Sequence, residues 1–333
     1  MIEAVEVRGF RTVKDVRLEP GPVTALIGEP DSGKSNLLVA IWKLLHQDAP
    51  VEEPTGATLT LIPGAVPEVV FFAAAERPRG LMLIDQVRTW LDEGRRHTVV
   101  LIEEPELYLR PHVQRTLYRL LRELAANGNQ VIYATHEPTF LNVGRLEEIA
   151  LLDRSPAGDT RVRRPHAIPH HDEFRALSEF DAERSELLLS RAAVLVEGRT
   201  EKLVFPYFFR ALGYEVDDEA ISIVECGGKP NIPIIAEVCN LIDLPYLVVH
   251  DRDALPGRQP NQGEQLLNDA ILAIAGPERT IELARDFEAV AKLHGHRHKP
   301  AHALKWFGSA GEVPVPDQLA DVVHRAIALA RAG

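Results

Sequence analysis

The sequence predicts an α/β protein of two domains, each built on a parallel sheet. Short apolar runs alternate with longer amphipathic stretches, the pattern of β-α-β units. In each half a glycine-rich or acidic motif follows directly on such a run, where open α/β sheets place their ligands. The length of 333 residues suits about two domains with separate cores. The expected division is a domain over 1–170, a linker helix over 171–190 and a second domain over 191–333.

Hydrophobic residues make up 45% and charged residues 26%, values of an ordinary globular chain rather than a disordered or fibrous one. The first residues carry no basic, apolar leader and no run reaches the ~18 apolar residues of a membrane span, so the expectation is a cytoplasmic protein. Cys226 and Cys239 match no disulfide framework or zinc spacing and read as small apolar residues in a reducing compartment. The net charge of −12 argues against a nonspecific coat for nucleic acid, although a local basic strip with bound cations can still hold phosphates.

In the first half, 2–7 and 16–18 read as strands, and 23–27 as a buried strand. That last run leads into Gly28-Glu29-Pro30-Asp31-Ser32-Gly33-Lys34-Ser35, a complete GxxxxGKS with a helix over 36–45 behind it. Backbone amides and the helix N-terminus cradle phosphates there; Lys34 reaches the β/γ-phosphates and the Ser35 hydroxyl ligates Mg²⁺. Residues 46–66 read as an exposed connection with a short strand at 57–61. A strand at 68–73 and an amphipathic helix at 81–93 follow, the latter with Leu83, Ile84, Val87, Trp90 and Leu91 on its apolar face. The run from Thr98 ends in Glu103-Glu104-Pro105-Glu106. In nucleotide hydrolases the first such acid holds the Mg²⁺ shell and the second polarises the attacking water. A helix over 113–127 leads to a strand at 130–134 and Thr135-His136, where a His can position the γ-phosphate. Residues 148–153 and 161–163 read as a closing hairpin.

This half resembles the ATPase head of the ABC and chromosome-maintenance (SMC) superfamily. Gly28 to Ser35 match Walker A, Glu103 and Glu104 match Walker B with its catalytic Glu, and His136 matches the switch His. The resemblance implies ATP held by Gly28, Asp31, Ser32, Gly33, Lys34, Ser35, Asn36, Glu103 and His136, one Mg²⁺ with it, Glu104 as catalyst, and a homodimer through the heads. There are departures. No LSGG-like signature and no clear Q-loop Gln stand in the sequence, Arg79-Gly80 before the 81–93 helix being only a candidate remnant of the latter. The interval from Ser35 to Glu103 is short and leaves no room for a separate dimerisation insert. Since the signature of one subunit completes the ATP site of another, the expectation is ATP binding with slow turnover.

The second half opens with Pro165 to Asp172 as linker, its His166, His170 and His171 fitting no standard zinc spacing. After a helix over 173–189 comes the apolar run 193–196, ending on Glu197-Gly198; Thr200 reads as the cap of the helix that follows, with Glu201 in its first turn. A strand over 220–224 ends in Cys226-Gly227-Gly228-Lys229, and the double Gly permits close backbone approach. A helix over 232–242 and a strand over 246–249 then lead to His250-Asp251-Arg252-Asp253. Alternation along an extended chain puts Asp251 and Asp253 on one face. The carboxylates of Glu197, Glu201, Asp251 and Asp253 would repel one another without divalent cations, and all-oxygen clusters suit Mg²⁺ or Mn²⁺. Residues 254–264 read as a loop and 266–275 as a helix. A strand over 279–283 leads to Arg285-Asp286-Phe287-Glu288, followed by His294 to Pro300, and the last helix over 316–331 caps the core.

The Glu197 and Asp251/Asp253 motifs, in this β-α-β-α-β order, are similar to a Toprim domain, the metal-binding module of topoisomerases, primases and some nucleases. With the first half, the chain resembles the overcoming-lysogenisation-defect (OLD) family of ATPase-nucleases. Phrases such as IEEPELYLRP, ATHEPTFL, VLVEGRTE, CGGKPNI and HDRDAL carry the likeness. The resemblance implies a Toprim site with two metals and catalytic Glu197, Asp251, Asp253 and Lys299. Glu197, Asp251 and Asp253 would hold one metal; Glu201 and Glu288 would contribute to the other. It also implies cleavage of DNA, often in phage defence or DNA processing, with room for a further protein partner. The alternative is a nucleotide-gated DNA-binding or signalling module with a vestigial Toprim site.

Overall fold

The computed structural model describes residues 1–46, 58–63, 67–74, 81–168, 181–252, 261–283, 286–291 and 315–332. They divide into two compact units, Met1–Leu189 and Ser190–Gly333.

In the first unit β3 (Val23–Ile27), β6 (Thr98–Glu103) and β7 (Gln130–Ala134) are almost continuously apolar and buried. Strands covered on both faces of a parallel sheet carry that pattern. With β5 (Glu68–Phe72), β8 (Ile149–Arg154) and β9 (Thr160–Arg163) they form a sheet in the order β5-β6-β7-β3-β8-β9, parallel throughout except for the β8/β9 hairpin. Its register decides where the chemistry lies. Leu26 pairs with Ala134, and Ala134 with Glu103, so the C-terminal ends of β3, β7 and β6 stand side by side. A second, antiparallel sheet joins β1 (Ile2–Phe10) to β2 (Val13–Leu18) and β4 (Thr58–Leu61). The helix α1 (Lys34–Leu45) buries Leu37, Leu38, Ala40 and Ile41 in the core that both sheets share. The helix α2 (Leu81–Asp92) buries Leu83, Ile84, Val87 and Trp90, as its apolar spacing predicts, and packs beside α3 (Pro111–Ala126).

In the second unit β10 (Ala192–Val196), β11 (Ile221–Glu225), β12 (Tyr246–Asp251) and β13 (Thr280–Leu283) make a parallel sheet in the order β11-β10-β12-β13. Val196 pairs with Val249, which brings the Glu197 and Asp251 ends together. Phe205, Phe208 and Phe209 of the helix Arg199–Ala211, with Leu319, Val322, Val323 and Ala326 of the final helix Asp317–Ala332, fill one core with Val194, Val196, Leu247 and Val249.

Several boundaries differ from those the sequence suggests, and the physical reasons are local. The helix after β10 begins at Arg199, entered from an extended Gly198, so Thr200 is not its cap: it lies inside the first turn and is buried. The strand β12 runs through His250 to Asp251, and the helix Gln262–Ala275 starts early because Asn261 and Glu264 form a capping box. Of the helix expected over 171–190, Ala182–Ser185 is helical and Glu186–Leu189 is a tighter 3₁₀ turn; the part before residue 181 lies outside the described residues.

Candidate functional site

The P-loop of the first unit is shaped by backbone that only glycine adopts easily. Gly28 and Gly33 have φ of 149° and 103°. A Cβ at position 28 would meet the Leu152 carbonyl oxygen at 2.0 Å, and one at 33 would meet Thr160 Oγ1 at 2.2 Å. The loop thus lies tight against the β8/β9 hairpin. Lys34 is buried; its Nζ donates to the carbonyls of Gly28 (2.8 Å) and Glu29 (2.9 Å) and lies 3.4 Å from Ser32 Oγ. Burial lowers its pKa to about 8, with Glu104 and then Asp31 pulling the other way. Around it lies a cavity of ≈ 350 Å³ whose lining includes Asp31, Gly33, Lys34, Ser35, Asn36, Glu104 and His136.

Two further lining residues, Thr12 and Arg154, lie outside the sequence motifs. Asn36 explains the first. Its Nδ2 donates to Thr12 Oγ1 at 2.9 Å while its Oδ1 accepts from Arg11 Nη1 at 3.0 Å, tying the β1–β2 turn to the helix start. Arg154 Nε donates to the Asp31 carbonyl at 2.8 Å. No periodicity signals such contacts, since they join residues far apart in sequence.

The acids after β6 divide. Glu104 lines the cavity, with a left-handed backbone (φ 45°) and its amide donating to the Ala134 carbonyl at 2.8 Å. Glu103 accepts from the Ala74 amide at 2.9 Å and is not among the residues lining the cavity. His136 lines it, and its pKa is lowered, first by burial and then by the charge of Lys34. Glu106, which the sequence marks only as the third acid of the run, binds Thr135 and His136. The P-loop, Glu104 and His136 therefore come together as the motif order predicts. Backbone donors, a buried ammonium and a hydroxyl suit a nucleotide polyphosphate with its Mg²⁺.

In the second unit Glu197 Oε1 accepts the Asp251 amide at 2.7 Å, fixing the two acidic strand ends to each other. Lys229 is buried beside them, its Nζ 3.8 Å from Glu197 Oε1 and donating to the Asp251 carbonyl. Gly227 and Gly228, at φ 74° and 115°, make the turn that aims it there, and the Gly228 amide donates to the Glu197 carbonyl at 2.8 Å. The CGGK run signals this turn but not the destination of its lysine. Glu201 sits in the first turn of the following helix, its Oε2 3.4 Å from where a Cβ on Gly198 would stand. Among the described residues no three His, Cys, Asp or Glu side chains converge as a metal-holding group. Asp253, Lys299 and the side chain of Glu288 lie outside the described residues, although Glu288 belongs to a short helix, Phe287–Val290. The described donors are oxygens, which suits a hard divalent cation rather than a soft one.

Comparison with known proteins agrees with both halves. Residues 188–253 match the model of the "Overcoming lysogenization defect protein-like, TOPRIM domain" family, residues 71–142 match an AAA domain model and residues 1–55 match DUF2813. An OLD nuclease of Thermus scotoductus is 37% identical over 59% of this chain and 41% of its own length. The Old nuclease of Escherichia phage P2 is 27% identical over 52% of this chain and 30% of its own. The chain thus spans less than half the length of these relatives. Among solved structures, the C-terminal region of the Xanthomonas campestris pv. campestris OLD protein aligns over 44% of this chain and 97% of its own, at 14% identity and a TM-score of 0.33. On its sequence matches the chain is similar to OLD nucleases over part of their length, with a P-loop unit that matches an AAA domain model followed by a segment that matches an OLD-like Toprim domain.

Proposed function

We propose that the chain is an ATP-binding, divalent-metal-dependent DNA endonuclease or nickase of the OLD type, acting in phage defence or DNA processing. The observation that carries this reading is the contact of the Glu197 carboxylate with the Asp251 amide, inside the segment that matches the OLD-like Toprim model. Glu197, Asp251 and Asp253 would hold one divalent cation, Mg²⁺ or Mn²⁺, and Glu201 and Glu288 would contribute to a second. A divalent cation bound there supplies Lewis-acid chemistry, favouring ionised water and neutralising charge on the phosphodiester.

The chain's own residues do the rest. Glu197 keeps the two strand ends in register through its bond to Asp251. Lys229 supplies a fixed positive charge between them, limiting carboxylate repulsion. Lys299 offsets the extra negative charge of the pentacovalent phosphate. In the first unit Gly28, Asp31, Ser32, Gly33, Lys34, Ser35 and Asn36 would hold the ATP phosphates and Mg²⁺, with Glu103 supporting the ion. Glu104 would orient the attacking water, and His136 would contact the γ-phosphate.

The test is plasmid cleavage with Mg²⁺, Mn²⁺ or Ca²⁺, each with and without ATP. Wild type should nick or linearise DNA with Mg²⁺ or Mn²⁺, and Asp251→Ala should lose cleavage while keeping its circular dichroism spectrum. Undiminished cleavage by that variant, or none by wild type in any metal, would sink the nuclease reading. ATP and DNA binding without cleavage would instead fit a gated binding module.

A further inference from the structure

Glu106 is the one acid of the Glu103–Glu106 run to which the motif assigns no role, and its geometry supplies one. Oε2 accepts from Thr135 Oγ1 at 3.0 Å and Oε1 accepts from the His136 amide at 3.1 Å. Thr135 Oγ1 in turn accepts from the Glu137 amide at 3.0 Å, and Thr135 is wholly buried. Alongside, the Glu104 amide donates to the Ala134 carbonyl, and the Thr135 amide to the Leu26 carbonyl at 3.2 Å. Glu106 does not line the cavity, while Glu104 and His136 on either side of this bridge do.

We propose that Glu106 is a positioning residue for ATP turnover, its carboxylate clamping the acidic turn after β6 to the Thr135-His136 turn after β7. Glu104 and His136 are thereby presented to the P-loop as one rigid pair. The inference rests on the reading that the P-loop binds ATP.

The chemistry asks for a carboxylate. Two donors converge on this side chain, and an ionised carboxylate accepts at both oxygens, whereas an amide offers one acceptor and one donor. A Gln keeps the His136 bond through Oε1 only by turning its Nε2 to Thr135 Oγ1, whose hydroxyl proton then loses its acceptor, so the bridge becomes neutral and weaker. Burial raises the Glu106 carboxyl above the ordinary range, and the bonds from its own backbone, His136 and Thr135 oppose that shift in part. Displacing a catalytic group by about 1 Å can cost about 10²-fold in rate.

The experiment uses the full chain with Glu106→Gln, Thr135→Val and Thr135→Ser. It measures ATP affinity by calorimetry, single-turnover hydrolysis, and hydrogen–deuterium exchange of the peptide that contains His136. Glu106→Gln should keep ATP affinity within about threefold, lose about 10²-fold in rate, and exchange the His136 amide about tenfold faster. Thr135→Val, which removes only the hydroxyl, should lose rate with less change in exchange, and Thr135→Ser should restore it. If Glu106→Gln does not fold, the Thr135 pair decides, and a wild-type rate in Thr135→Val overturns the clamp. So does wild-type exchange at His136 in Glu106→Gln, a readout that needs no turnover. An equal loss of affinity and rate overturns it too, as the mark of a merely structural role. Absence of ATP binding by wild type would be a different result: it would sink the P-loop reading and leave the exchange measurement to judge the clamp.

Discussion

The charge of Lys34 bears on that of His136. Burial is the main cause lowering the His136 pKa, the Lys34 ammonium adds to it, and Glu104 opposes both. At neutral pH the lysine, lowered to about 8, is mostly charged and the imidazole is neutral, able to donate or accept towards a phosphate oxygen. In NMR titrations without added nucleotide, His136 should protonate below 6.5, and Lys34→Met should move its midpoint up without reaching 6.5, since burial persists. A downward move would contradict the coupling. The linkage sign follows: the unfolded chain binds this proton more readily, so His136 makes stability fall as pH drops through the window below 6.5. Lys34, Ser35, Glu104 and His136 were legible as motif positions in the sequence. Lys229 and Glu106 were not, because what matters about each is its partner. Those partners, Asp251 and Thr135, are distant in sequence, and only the parallel register brings them within reach.

Among the elements, strands were the most legible and helix starts the least. Runs such as Val23–Ile27 and Gln130–Ala134 are buried end to end, so composition alone marks their limits. Helix entry after a glycine carries no such mark. The helix α1 begins at Lys34 directly from a left-handed Gly33, and the helix Arg199–Ala211 begins directly from Gly198, neither with a side-chain cap. The cap sought at Thr200 therefore places the second start too late, and the sequence puts the first at 36, behind the motif, rather than at Lys34. At Gly33 the backbone conformation alone should cost a substituted residue about 1–3 kcal/mol, and the approach to Thr160 Oγ1 adds to it. Gly33→Ala should accordingly lower the unfolding midpoint in denaturant titrations. Adding Thr160→Ala relieves the contact but not the φ, so the double variant should recover only part of the loss. Full recovery would mean that φ carries no cost there.

For the whole molecule, the two-part reading rests on two motif sets separated by a polar stretch; the structure divides into compact units at Leu189 and Ser190. No helix among those residues is long and apolar enough to cross a membrane. Assembly is less legible, because a partner surface leaves no periodic trace in a single sequence. Heads of the kind this half resembles in sequence enclose nucleotide between two copies, so we propose a homodimer strengthened by ATP, slow to turn over without a signature motif. Light scattering across a concentration series should show a mass that rises with ATP·Mg²⁺, and less so in Lys34→Ala. A monomer at every concentration, with and without nucleotide, would count against it.

The left-handed backbone at Glu104 has an evolutionary consequence. Glycine or asparagine would occupy that conformation at lower cost, by about 1 kcal/mol or more. A lineage selected for thermal robustness alone would drift away from glutamate there, whereas one still spending ATP would keep it. Position 104 is thus a place to look for decay. A descendant with an intact GxxxxGKS but Gly or Asn at 104 would mark a head that has become a nucleotide-occupied scaffold, its strain relieved and its turnover abandoned.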